Sequence, residues 1–159
     1  MYIHAMTTKP KPAQRRLRTD AVQLVESCAG LGSRLVARRF TEFIEQQIAG
    51  CGLSLAQLGL MAHIAAASDD TIGAIATRTG LDQSTLSRNL RALEGAGLVE
   101  IAIVESDLRR RAVWLTETGA RRLEQAIPVW RKANERLARL APTGLMVRLA
   151  RETEDLIAS

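Results

Sequence analysis

Ser84, Arg88 and Arg91 recur at four- and three-residue steps, and Arg109-Arg110-Arg111 follow as three consecutive guanidiniums. Side chains of these types donate hydrogen bonds to anions and to the acceptor edges of nucleobases. If Gln83 to Glu94 is helical, 100° per residue puts Leu86, Leu90 and Leu93 on one face and Ser84, Arg88 and Arg91 opposite. Gln83 opens that helix, and Thr85, Ser87 and Asn89 flank the outward stripe. Short hydroxyl and amide side chains permit close approach to a major groove, and arginine binds guanine bidentately. No acid interrupts the stripe before Glu94, where an ordinary solvated face would mix in glutamates.

The arginine run offers a second contact. Alternation along an extended segment cannot send Arg109, Arg110 and Arg111 the same way, so two of them are expected to reach phosphate or a narrow minor groove. Asp107 just before them would weaken binding to a polyanion unless paired internally, so it is read as bracing the tip.

Other chemistry is poorly represented. Cys28 and Cys51 form no CxxC pair, and with only His4 and His63 available, widely separated, no metal site is expected. His63 lies in an apolar helical run, which suits a core or surface histidine better than a general base, and there is no glycine-rich phosphate loop. No catalytic residue, enzymatic activity or cofactor is expected.

Positioning such a face requires a scaffold, and the 159 residues suffice for one globular domain or two small modules sharing a core. The net charge is +5. Residues 51–116 are nevertheless slightly acidic, with six Lys and Arg against seven Asp and Glu, but five of those six bases lie on the Gln83–Glu94 segment or the arginine run. Distribution rather than total points to a polyanion. No apolar run approaches the ~18–20 residues of a membrane span, and the basic start lacks the apolar stretch of a secretory signal. A cytoplasmic protein without membrane association is expected.

Residues 1–19, with Lys9-Pro10-Lys11-Pro12 and then Arg15, Arg16 and Arg18, read as a flexible basic arm. From Asp20 an apolar stripe (Val22, Val25, Leu31, Leu35, Phe40, Phe43, Ile44, Ile48) predicts a helix across 20–52, with Gly30 and Gly32 marking either a bend or a close helix approach. Ser54-Leu55-Ala56-Gln57 is a capping box opening the next helix. Thr71 caps a short helix, Gly80 turns the chain, Leu81 is a buried pivot and Asp82 caps the helix that follows. Leu98 to Val104 and Arg111 to Leu115 are two strands around a charged tip. Thr116 starts a long helix striped by Leu123, Ile127, Trp130 and Leu137, with Pro128 expected to kink it, and a last helix carries Leu145, Met146, Leu149 and Leu156. The order is that of a winged helix-turn-helix, residues 53–116, in a mainly α protein with a small β-wing. The striped end segments, 20–52 and 117–159, cannot hide their apolar faces within so small a module.

The chain resembles the MarR family of winged helix-turn-helix transcriptional regulators. Three stretches carry the resemblance: Leu81-Asp82-Gln83-Ser84-Thr85-Leu86-Ser87-Arg88, the helix exit Leu93-Glu94-Gly95-Ala96-Gly97-Leu98-Val99, and Asp107-Leu108-Arg109 followed by Leu115-Thr116-Glu117-Thr118-Gly119. The resemblance implies a homodimer built through the N- and C-terminal helices, bound to pseudo-palindromic double-stranded DNA, usually as a repressor. By the same analogy Arg109 enters the minor groove while Ser84, Ser87, Arg88 and Arg91 face the major groove. It further implies release by a small aromatic effector, for which Phe40, Phe43, Met61 and Trp130 are the candidate pocket residues, or by oxidation of a cysteine. Cys28 is near the region where family redox sensors carry theirs, but the tyrosines that partner such a thiolate are missing, the only one being Tyr2. Redox sensing through Cys28 or Cys51 is therefore the alternative form of control. The reading from a different class is a winged-helix module that binds an acidic protein.

Overall fold

The computed structural model describes residues 12–67, 71–104 and 107–153, with side chains described for 16–67, 71–103 and 111–153. It divides into two units, residues 1–40 and 41–159.

The first unit holds helix α1 (Pro12–Ser27) and the opening of α2 (Ala29–Ile48). Helix begins at Pro12 rather than Asp20, so residues 12–19 are its first turns and not an arm. Proline at the first helical position lacks only an N–H that would have no partner there, and Ala13 to Arg18 are good helix formers. Residues 1–11 of the expected arm lie outside the described residues. At Cys28 the two helices part without losing the hydrogen-bond ladder. The Cys28 N–H donates to the Leu24 carbonyl at 3.0 Å, and the Cys28 carbonyl accepts from Gly32 at 3.0 Å. Ser27 adds a hydroxyl bond back to the Gln23 carbonyl at 2.6 Å, a geometry that bends helices. Leu17, Val22, Leu24, Val25, Leu31 and Leu35 are all exposed in the single chain.

The second unit begins with the end of α2, where Ile44 and Ile48 are buried, and a 3₁₀ turn at Ala49–Cys51. Gly52 follows at φ 67°, and the Arg122 guanidinium donates to the Cys51 carbonyl at 3.0 Å. α3 (Leu55–Ala65) opens on the complete capping box: Gln57 N–H to Ser54 Oγ at 3.1 Å, Ser54 N–H to Gln57 Oε1 at 2.9 Å. α4 (Ile72–Thr79), α5 (Gln83–Gly95), β1 (Val99–Val104), β2 (Asp107–Leu115), α6 (Glu117–Leu140) and α7 (Thr143–Glu152) complete it. The core is apolar and continuous through these elements: Ile48, Leu60, Met61, Ile75, Leu86, Leu90, Leu93, Val99 and Val113 are fully buried. Leu81, expected as a buried pivot, is only half-buried. α6 runs unbroken through Pro128. Leu156 lies outside the described residues, and among those described no single helix is long and apolar enough to cross a membrane.

The hairpin departs from expectation at its tip. β2 starts at Asp107, not Arg111, because ladder pairing uses backbone groups and tolerates charged side chains on an edge. The register runs regularly from Val99↔Leu115 to Ile103↔Arg111 and then jumps to Val104↔Asp107. Leu108, Arg109 and Arg110 thus stand opposite a single step of β1, as a bulge.

Candidate nucleic-acid interface

The exposed surface of α5 is set by what caps and anchors it. Thr71 caps α4 by accepting from the Ala74 N–H at 3.3 Å, and Gly80 ends that helix at φ 62°, a left-handed conformation that costs glycine no Cβ clash. Asp82 then caps α5. Its Oδ1 accepts from the Thr85 N–H at 2.9 Å and the Ser84 hydroxyl at 2.6 Å, and its Oδ2 from the Thr85 hydroxyl at 2.6 Å. The Ser84 hydroxyl first, then the Thr85 hydroxyl and N–H, hold the Asp82 carboxyl far below the usual carboxylate range. Leu86, Leu90 and Leu93 are buried, which turns Gln83, Ser84, Arg88 and Arg91 outward as exposed side chains, while Thr85, Ser87 and Asn89 are half-buried beside them.

The hairpin extends this surface. Ser87 and Arg91 of α5 line a cleft of about 310 Å³ together with Ile72, Ile103 and the wing's Arg111. Glu94 lines the same cleft, so the helix's acid faces the wing arginine's side of the surface. The side chains of Asp107, Arg109 and Arg110 lie outside the described residues. Several bonds fix the hairpin to the body. Thr116 donates its hydroxyl to the Gly97 carbonyl at 2.7 Å and its N–H to the Leu98 carbonyl at 3.1 Å, and accepts from the Gly119 N–H at 3.0 Å. A Cβ at Gly119 would stand 1.9 Å from the Leu98 carbonyl oxygen, so only glycine lets α6 start this close to β1. Trp114 bonds Glu100 across the strands at 3.0 Å.

A second concavity lies between α3 and α6, a cavity of about 480 Å³ lined by Leu55, Leu58, His63, Leu123, Ile127 and Trp130, among others. Of the four expected pocket residues it includes Trp130 alone. Met61 is in the core with no exposed surface. Phe43 instead lies under the Arg136 guanidinium, 5.5 Å from ring centre, and that arginine also donates to Gln47 at 2.6 Å. Phe40 belongs to the first unit and is half-buried there. His63, set aside in the sequence as a core or surface residue, is exposed at this cavity, and nothing in its apolar surroundings along the chain signalled that. Cys28 and Cys51 are both free thiols and half-buried. Among the described residues no cluster of His, Cys, Asp and Glu could hold a metal ion.

Residues 52–111 match the family model described as MarR family. Over most of its length the chain is similar in fold to solved transcriptional regulators. The Mycobacterium tuberculosis regulator MosR in complex with DNA is 25% identical, with a TM-score of 0.75 over 83% of this chain and 98% of that one. The transcriptional repressor CouR bound to a 23-mer DNA duplex is 24% identical, with a TM-score of 0.74 over 82% of this chain and 96% of that one. PcaV from Streptomyces coelicolor, in complex with its natural ligand, shares the fold at 18% identity, TM-score 0.74, over 82% and 94% of the two chains. No curated protein sequence matches the chain.

Proposed function

We propose, from the premise that this chain belongs to the MarR family through its winged-helix segment, that it is a homodimeric, sequence-specific DNA-binding transcriptional regulator, acting as a repressor. The observation that carries this reading is one surface of donors. Exposed Arg88 and Arg91 on the second helix of a helix-turn-helix share it with Arg111 on the wing, and Ser87, Arg91 and Arg111 line a single cleft. MosR and CouR, whose fold this chain shares, were solved with DNA bound, which supports DNA as the partner. Gln83, Ser84, Thr85, Ser87, Arg88, Asn89 and Arg91 would face the major groove, with Arg109, Arg110 and Arg111 on the wing beside it and Asp107 bracing the tip. Residues 53–116 are the reading module. Residues 20–52 and 117–159 are the dimerisation segments, a role supported by the apolar side chains that α1, α2 and α7 leave exposed.

Two such modules related by a two-fold axis would meet successive major grooves, about 34–36 Å apart. Selection of duplexes from a random pool at physiological salt tests this directly. A two-fold motif with half-sites one turn apart is the expected result. A pool with no enrichment would overturn DNA reading and favour a module that binds an acidic protein. The apolar cavity between α3 and α6 supports control by a small aromatic molecule, with Trp130 as the stacking wall. A compound that quenches the fluorescence of Trp130 and releases the selected duplex would establish it. Quenching without release would separate the cavity from regulation.

A further inference from the structure

We propose that Ser84 reads an exocyclic amino group in the major groove, cytosine N4 or adenine N6, because its only O–H is already donated to Asp82. The inference rests on the DNA-reading function above and specifies its polarity. A serine hydroxyl has one donor and two acceptor positions, and when free it can bond either kind of base edge. Here it is not free. The Ser84 hydroxyl donates to Asp82 Oδ1 at 2.6 Å and the Thr85 hydroxyl to Oδ2 at 2.6 Å, both in the short range of charge-assisted O–H···O⁻ bonds. The Thr85 N–H is also committed to Oδ1, at 2.9 Å. Ser84 is exposed, so what it presents outward is lone pairs only. Asp82 remains a carboxylate throughout the working pH range, since these same donors lower its pKa, and the polarity is therefore constant.

The consequence excludes several partners. Phosphate oxygens, guanine O6 and N7, and thymine O4 are all acceptors, and Ser84 can bond none of them without abandoning Asp82. The amino groups of cytosine and adenine are the major-groove donors that remain. One turn along the same face, exposed Arg88 offers donors alone. α5 thus presents an acceptor corner followed, four residues and about 6 Å further along the axis, by a donor. With base pairs about 3.4 Å apart, that spacing matches an amino base within two base pairs of a guanine.

The test uses the full chain and the selected duplex. Each cytosine and adenine of a half-site is replaced singly by its analogue lacking the amino group (2-pyrimidinone or unsubstituted purine), and each phosphate singly by a methylphosphonate. At one base per half-site, loss of the amino group should weaken wild-type binding about five- to tenfold and Ser84→Ala binding less than twofold. If the defect of Ser84→Ala is instead cancelled by a methylphosphonate, or is the same on every duplex, the serine donates to phosphate or reads nothing, and the proposal is overturned. Failure to select any duplex would instead sink the DNA-reading function, so the two failures are distinct. Asp82→Gly, which costs a cap only a few tenths of a kcal/mol, frees the hydroxyl. A pool selected with that variant should tolerate guanine or thymine at the same position, and an unchanged preference there would also overturn the proposal.

Discussion

Asp82 accepts three hydrogen bonds from two neighbouring residues, and each favours its charged form. The folded pKa is depressed, so the contribution to stability is fully present above the unfolded carboxylate value of about 4 and is lost as pH falls through the folded value. The difference in urea midpoint between wild type and Asp82→Asn should therefore be full at neutral pH and smaller near pH ~3; an equal difference at both would show that the carboxylate charge contributes nothing. The outward direction of Ser84 and Arg88 was legible from leucine spacing alone. The commitment of the hydroxyls was not, because it depends on side-chain rotamers that periodicity does not specify. Arginines make the complementary prediction. Arg88→Ala or Arg91→Ala should each cost about 1–3 kcal/mol on the selected duplex if the contact to guanine is bidentate. Arg109→Ala should instead weaken binding to every sequence and lower the salt slope by about one unit. Titrations of the three variants at several salt concentrations separate these outcomes, and unchanged affinity in all three would remove the proposed docking face.

Helices and strands sit where their ends dictate. Ser54, Thr71, Asp82 and Thr116 each accept from a backbone N–H of the helix they open, and each start was readable as a cap followed by an apolar period. Two starts were not readable in that way. Pro12 reads as a breaker among alternating prolines, yet a helix's first position accepts proline. Asp107 to Arg110 read as a polar tip, yet cross-strand pairing, which no local pattern records, carries β2 through them. The junction between wing and α6 depends on one missing side chain. Gly119→Ala would place a methyl 1.9 Å from the Leu98 carbonyl oxygen, so the hairpin or α6 must shift. Overpacking of this kind typically costs about 1–3 kcal/mol. A urea or thermal melt should show a loss of that size together with weaker DNA binding, as the wing moves relative to α5. A variant as stable as wild type would mean that the backbone relaxes freely at this junction.

At the scale of the molecule, the distribution of exposed apolar surface argues for a second copy of the chain. Monomeric proteins expose single leucines routinely, but a run of large apolar side chains along one segment asks for a partner. In α1 Leu17 is 68% exposed, Leu24 59% and Val25 66%, and Leu31 and Leu35 continue the pattern in α2. In the second unit Leu140, at 79%, and Val147 and Leu149 of α7 are likewise uncovered. Burying such residues is worth roughly 1.5–3 kcal/mol each, which is ample for a stable dimer when several act together. Val25→Glu would place a charge in that surface without touching any residue of α5. Sedimentation should then show a dimer for the wild type and a monomer for the variant. DNA binding should fall steeply, because two weakly binding modules no longer share one duplex. Retention of the dimer would move the interface away from α1. A monomer that kept full affinity for the two-fold site would instead mean that each module binds its half-site alone, and that the apolar helices serve some other partner.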